Sequence, residues 1–250
     1  NRPAQLRGIG NGLLFGECGP VTLEVRRGDA THSIEAQRTR DRTASLYAHD
    51  RPGPAFQILE GDIAYLKMGD VEKGAGDTYY KSAKGTAGWV IDLRNYPKAD
   101  MVYDLAGHFM FARRTEFAHF TKPSLTTPGE FTWSGVATVR REWGRYREPI
   151  VILVDEVTQS AAEFHSMAFR AAPNAIVTGS TPAGAAGTVF YIPLPGPYRT
   201  VFTGFGVFYP DRTPAQRVGI VPDRFVAPTI KGIRAGRDEV LEAAVAYIRE

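Results

Sequence analysis

Five apolar residues, Ile150-Val151-Ile152-Leu153-Val154, run into the polar stretch Asp155-Glu156-Val157-Thr158-Gln159 and then into Ser160-Ala161-Ala162-Glu163-Phe164. The pattern is a buried strand, a tight turn and the first turn of a helix, with a serine where the strand hands over. The first amides of a helix have no intrahelical acceptor. A hydroxyl placed there lies beside N–H groups that can stabilise an oxyanion on whatever it attacks. Ser160 is therefore a candidate nucleophile, and the amide of Ala161 a candidate oxyanion donor. The other reading of the same serine is a helix N-cap, a position that serine favours for hydrogen bonding alone.

A serine hydroxyl needs a base to become a good nucleophile near neutral pH. Five histidines are available. His165 lies five residues beyond Ser160, about 140° round the helix at about 100° per residue, and faces elsewhere. His108, in Leu105-Ala106-Gly107-His108-Phe109, reads as packed, while His32 in a hairpin and His49 in a polar stretch read as surface residues. His119 opens what reads as a loop able to cover a cleft, and it is favoured over His108 if the base lies in this chain. Asp155 and Glu156 are consecutive after a strand, so their carboxylates point to opposite sides. There is no His-x-x-x-His spacing, no EF-hand-like loop and one cysteine, Cys18, so neither a metal, a cofactor nor an internal disulfide is expected.

The elements that must position these residues follow from periodicity. Residues 19–38 alternate apolar and polar positions around Gly28-Asp29, the signature of a hairpin. A polar, proline-containing stretch at 47–54 reads as a linker. Strands are predicted at 63–68, 89–93, 150–154 and 175–178, and helices at 99–113, 160–171 and 237–249. A loop is predicted from 113 to 140, and hairpin strands at 188–194 and 199–209. Repeated strand-helix units imply an α/β core. The 250 residues are 43% apolar and carry 30 basic against 27 acidic side chains. No basic stripe is interleaved with aromatics, which gives nucleic-acid binding no support. No run approaches the roughly 18 apolar residues of a membrane span. The chain opens on Asn1 rather than methionine, as a processed or partial polypeptide does, so a cleaved export signal would not be seen.

Ser160-Ala161-Ala162-Glu163 resembles the Ser-Ala-Ser-Glu element of the S41 peptidases, the family of C-terminal processing and tricorn-type proteases. Other matches stand in the family's order. Gly61-Asp62-Ile63-Ala64-Tyr65-Leu66-Lys67-Met68 is similar to its opening core strand, and Gly88-Trp89-Val90-Ile91-Asp92-Leu93-Arg94-Asn95 to its Asp-Leu-Arg-Asn strand end. Residues 175–185 resemble the strand and glycine turn after the nucleophile helix. Gly219-Ile220-Val221-Pro222-Asp223 matches the Gly-Ile-x-Pro-Asp element, and Asp238-Glu239-Val240-Leu241 opens a terminal helix of the expected kind. Six matches in order are hard to obtain by chance.

The resemblance implies a catalytic core at 58–250 with the ClpP/crotonase-like superhelix of strand-strand-helix units. Ahead of it would stand a linker at 46–57 and, at 1–45, the last hairpin of a PDZ-like module. It implies a serine endopeptidase acting through an acyl-enzyme on unfolded or tail segments of proteins, in the periplasm or outside the cell, with a homo-oligomer possible. The lysine that serves as base in the processing branch is replaced by Ala185. In the tricorn-like branch the base is a histidine upstream of the PDZ module, beyond this chain, and the glutamate that orients it is replaced here by Gln216. Glutamine can hold an imidazole through one hydrogen bond but cannot stabilise its charged form. The second oxyanion amide would come from the loop Tyr96-Pro97-Lys98, where only Tyr96 or Lys98 can donate. A non-catalytic peptide-binding module on the same fold is the alternative. A crotonase-like acyl-CoA enzyme is a third reading that rests on fold analogy alone.

Overall fold

The computed structural model describes residues 1–14, 17–38, 51–127, 129–142 and 146–250. Helix α1 (Arg2–Leu14) precedes the antiparallel hairpin β1 (Gly19–Arg27) and β2 (Ala30–Arg38), which turns at Gly28 as predicted. Helix α1 itself has no counterpart in the sequence reading, because its three glycines blur the helical repeat. Of the predicted linker, residues 46–50 with His49 lie outside the described residues, and Phe56 and Gln57 already belong to a strand.

From there the elements are β3 (Phe56–Leu59), β4 (Ile63–Lys67), α2 (Gly76–Ser82), β5 (Gly88–Asp92), β6 (Arg114–Pro123), β7 (Phe131–Arg140) and β8 (Ile150–Val154). They continue with α3 (Ala161–Arg170), β9 (Ala175–Gly179), β10 (Val189–Pro193), β11 (Arg199–Thr203), β12 (Gly206–Phe208), β13 (Arg224–Phe225), α4 (Ile230–Arg234) and α5 (Glu239–Arg249). Six strands form one sheet in the order β13-β9-β8-β5-β4-β3, parallel except for the antiparallel β3. Three others form the antiparallel sheet β12-β6-β7.

The unbroken apolar text of β4, β5 and β8 reflects a sheet covered on both faces. Ile63, Tyr65, Val90, Val151 and Leu153 pack beneath α5 through Val240, Leu241, Ala244 and Ile248. The alternate residues Ala64, Leu66, Trp89, Ile91, Ile152 and Val154 face the larger core with Ala162, Ala168 and Phe169 of α3. Each large aliphatic side chain so buried contributes about 1.5–3 kcal/mol. The mixed α/β architecture is the one expected.

Two expectations fail between the central strands. Residues 99–113 are not a helix. Asp100 Oδ1 accepts the Val102 N–H at 2.7 Å and His165 Nε2 accepts that of Met101 at 3.0 Å, and the one turn that follows, closed by the Leu105 N–H on the Met101 carbonyl at 3.0 Å, is not continued. Only a short 3₁₀ turn remains, Ala106–Phe109, with Gly107 so close to the Arg140 carbonyl that a Cβ would meet its oxygen at 2.5 Å. The predicted loop up to 140 is instead the hairpin β6–β7, paired from Arg114↔Arg140 to Pro123↔Phe131. Its register shifts leave Phe117 and Ser134 as extra residues, one on each strand. Each bulge slips the two-residue alternation by one, which removes the signal by which a strand is read.

At the end of β5 the Arg94 guanidinium, with no exposed side-chain surface, donates to Asp92 (Nε–Oδ1 3.0 Å, Nη2–Oδ2 2.6 Å) and to Asp238 (Nη1–Oδ1 and Nη2–Oδ2, both 2.8 Å). Asp238 also caps α5 by accepting the Leu241 N–H at 3.1 Å. The Tyr65 hydroxyl donates to Asp92 Oδ2 at 2.8 Å. Burial, and next the Asp92 charge, raise the Tyr65 phenol far above its usual range, which keeps it a donor. The cluster ties the terminal helix to the strand whose end carries the Tyr96 loop. Arg94→Leu leaves Asp92 charged and unpaired in the interior, and the expected loss is about 3–5 kcal/mol of unfolding free energy. Urea denaturation measures it, and a loss below 1 kcal/mol would contradict this role.

Candidate active site

The turn that delivers Ser160 is built on Asp155. Its Oδ1 accepts the N–H groups of Val157 at 2.9 Å and Thr158 at 3.1 Å. Thr158 Oγ1 accepts the Asp155 N–H at 3.0 Å and donates to the Leu93 carbonyl at 2.9 Å, which fastens the turn to the neighbouring strand end. Both side chains are buried. Desolvation raises the Asp155 carboxyl to about 6, against the opposing pull of the Val157 N–H.

Ser160 occupies the cap of α3 with φ 53° and ψ −116°, a left-handed backbone that costs an L-residue about 1–3 kcal/mol. Three residues on, Glu163 is almost fully buried. Its carboxylate accepts the N–H groups of Ser160 at 3.2 Å, Gly184 at 2.9 Å and Ala185 at 2.8 Å. One side chain thus joins the Ser160 turn to the glycine turn 21 residues later. Burial raises the Glu163 carboxyl, while those three N–H groups and the Arg7 charge oppose the shift. The Ser-x-x-Glu spacing of a capping box signals this role in the sequence.

Ser160 and Ala161 stand at the wall of a groove of about 630 Å³. Its other lining residues are Tyr96, Phe120, Ser134, Gly135, Phe164, Gly187, Thr188, Val189, Phe205 and Val207, none of which carries a charge. Sequence reading misses this groove. Phe164 was findable, since it lies four residues after Ser160 and hence on the same side of the helix. The others come from five separate segments, at 96, 120, 134–135, 187–189 and 205–207, with no local signature.

Of the two candidate second oxyanion donors, Lys98 is excluded because its N–H donates to the Met68 carbonyl at 3.0 Å. Tyr96 lines the groove beside Ser160 and Ala161, and among the described residues nothing accepts its N–H. Among the described residues no histidine joins them. His165 is buried, its Nδ1 donating to the Ala161 carbonyl at 2.7 Å and its Nε2 accepting from Met101, and burial lowers its pKa. Both nitrogens of a neutral ring are therefore spent. His108 bonds Asp77 through Nε2 at 2.7 Å and stacks on Tyr80 with centroids 4.0 Å apart. His119 lies on β6 rather than in a loop. It bonds Glu116 at 3.1 Å and sits against Trp133, next in the strand to Phe120, which lines the groove. His32 is exposed on β2.

Gln216 is a clamp rather than an exposed loop residue. Its Nε2 donates to the carbonyls of Ala186 and Phe205, each at 2.9 Å, and its Oε1 accepts the Val207 N–H at 3.3 Å. Gly187, with φ 130°, lies so close that a Cβ there would be 2.8 Å from Gln216 Nε2. Ala185, in the place of the lysine, is exposed and contributes only its backbone N–H to Glu163.

A sequence profile described as peptidase family S41 matches residues 62–226. Among solved structures, a candidate peptidase of Parabacteroides merdae superposes with a TM-score of 0.68 at 21% identity, over 81% of this chain and 67% of that one. Mature CPAF in complex with lactacystin gives 0.64 at 14% identity, over 94% of this chain and 69% of that one. The photosystem II D1 C-terminal processing protease gives 0.54 at 17% identity, over 85% of this chain and 57% of that one. At these identities the likeness is one of fold. A comparison with curated protein sequences finds no match.

Two outcomes test the site's construction. Glycine tolerates the left-handed backbone at 160 and alanine does not, so Ser160→Gly should unfold at higher urea than Ser160→Ala, by about 1 kcal/mol; equal midpoints would mean a relaxed backbone. The second concerns pH. The folded pKa of Asp155 exceeds its unfolded value of 3.8, so the native state holds the proton more tightly. Its contribution to stability is then fully present below about pH 4 and falls as pH rises through about 6. The stability difference between the native sequence and Asp155→Asn should accordingly fall by about 1–3 kcal/mol from pH 4 to pH 7. A difference that does not change with pH would place the titration elsewhere.

Proposed function

The chain belongs to peptidase family S41, and on that premise we propose that it carries the nucleophile, the oxyanion site and the substrate groove of a serine endopeptidase. The observation that carries this reading is the placement of Ser160. It stands on a left-handed backbone where strand hands over to helix, at the wall of an uncharged groove that is also lined by Ala161 and Tyr96, whose amides are the candidate oxyanion donors. Ser160 Oγ gives its proton to a base as it bonds to a peptide carbonyl carbon. The carbonyl oxygen takes up negative charge and accepts hydrogen bonds from the two amides. The C–N bond then breaks, the leaving amine takes the proton, and water hydrolyses the acyl-serine by the same steps.

Among the described residues no histidine, lysine or carboxylate lines the groove. The base is a histidine supplied by polypeptide upstream of this chain, and the Gln216 amide oxygen is the acceptor available to orient it. Extended or unfolded protein segments are the substrates, and placement in the periplasm or outside the cell belongs to the same proposal. The absence of a base in the groove lining also favours a second reading, a peptide-binding module that retains the fold without turnover.

Intact-mass analysis after treatment with a fluorophosphonate probe separates the two. A single adduct on Ser160, lost in Ser160→Ala, is the outcome expected of an activated serine once the upstream segment is present. No adduct on that longer polypeptide selects the binding module, and peptide turnover retained by Ser160→Ala would remove Ser160 as the nucleophile.

A further inference from the structure

The groove's chemistry says more about its ligand than that it is a peptide. We propose that it is the subsite for a large, uncharged apolar side chain next to the scissile carbonyl, and that Gly135 sets its width. This rests on Ser160 being the attacking residue, because that fixes where the peptide's reacting carbonyl lies.

The walls are aromatic and aliphatic. Phe164 rises from α3 on the side of Ser160, and its ring is held by Phe117 at 4.9 Å and Phe120 at 6.3 Å between centroids. Phe205, Val189 and Val207 line the groove with them, and the polar groups are hydroxyls and backbone. A carboxylate or ammonium placed here would lose its hydration and find no counter-charge, whereas a phenyl or isobutyl group gains roughly 25 cal/mol for each Å² removed from water.

Gly135 lies directly opposite Phe120 across the β6–β7 pair. Residues so paired project to the same face, and Phe120 lines the groove. The bulge at Ser134 just before it marks the point where β7 bends past the site. A Cβ on Gly135 would meet only Phe120 Cδ2, at 3.9 Å, and its backbone lies outside the left-handed region. Position 135 therefore accepts a side chain without strain, and that side chain would occupy space that the glycine leaves to the ligand. β7 is also an edge strand of its sheet. Its free backbone groups are suited to pair with an extended peptide.

The test measures binding of capped tetrapeptides to the 250-residue chain bearing Ser160→Ala, so that turnover plays no part. The peptides differ at one position, Phe, Leu, Ala, Asp or Lys. Phe and Leu are expected to bind at least tenfold more tightly than Asp and Lys. Gly135→Leu should lower affinity for the Phe peptide about tenfold and for the Ala peptide much less. Gly135→Ala gives an intermediate effect, and unchanged urea midpoints verify that both variants fold. Equal affinity for Phe and Asp, absence of binding by every peptide, or a Phe preference untouched by Gly135→Leu overturns the proposal. The fluorophosphonate adduct reports on Ser160 independently. Labelling without apolar preference overturns this subsite alone, while preference without labelling leaves an apolar peptide pocket but no attacking serine, which overturns its assignment as the subsite beside a scissile carbonyl.

Discussion

The site depends on a buried carboxylate whose partners are all backbone. Taking Glu163 out of water costs several kcal/mol, and the N–H groups of Ser160, Gly184 and Ala185 are what the protein sets against that cost. They come from two segments that share no strand pairing, so the carboxylate acts as the joint between them. Ser160 is held from the helix side, the turn at Gly184 from the groove side, and the position of each becomes a condition on the other. The Gly184 N–H would otherwise be a buried donor without an acceptor, which makes the joint hard to replace by packing alone.

The joint also accounts for the persistence of an unfavourable backbone at Ser160. A left-handed serine survives where its neighbours over-determine it. Upstream, β8 is fixed by parallel pairing on both sides, and the turn after it is pinned by Asp155 and by the bond from Thr158 to the Leu93 carbonyl. Downstream, α3 packs its Ala162, Ala168 and Phe169 into the main core. Rigidity on the other face of the sheet comes from Arg94, which binds the end of β5 to the start of α5. The Arg94 cluster thus holds the end of β5 and the Asp155 turn holds the end of β8, and the groups around Ser160 hang from those ends.

What the sequence makes legible follows from how local each signal is. Runs covered on both faces, such as 63–67 and 150–154, declare themselves by composition, and Ser160 by the change from strand to helix around it. The Asp-Leu-Arg-Asn strand end and the start of α5 were visible as separate pieces, but nothing local says that Arg94 and Asp238 meet. The hairpin of β6 and β7 was hidden by its bulges at Phe117 and Ser134, and those irregularities help shape the groove. Phe117 supports the ring of Phe164, and Ser134 and Gly135 line the wall. The stretch at 99–113 misleads in the opposite way, since its apolar residues suggest a helix where the chain makes one turn and then a 3₁₀ turn that brings Gly107 against the Arg140 carbonyl.

Gln216 shows how far the site can be carried by what is present. Both amide hydrogens go to carbonyl oxygens, those of Ala186 and Phe205, so the direction of the amide is fixed and its oxygen is the end left with acceptor capacity. A carboxylate in the same pose would face two carbonyls without a proton to share, and the surrounding backbone therefore selects an amide. An imidazole delivered to this position could donate one N–H to the oxygen and be oriented by it. Its protonated form would meet no compensating charge from this residue. In the reading proposed here, the chain's own share of catalysis then lies in what it holds rigidly: the serine, two amides and a groove. Proton transfer is the part that must be completed from elsewhere.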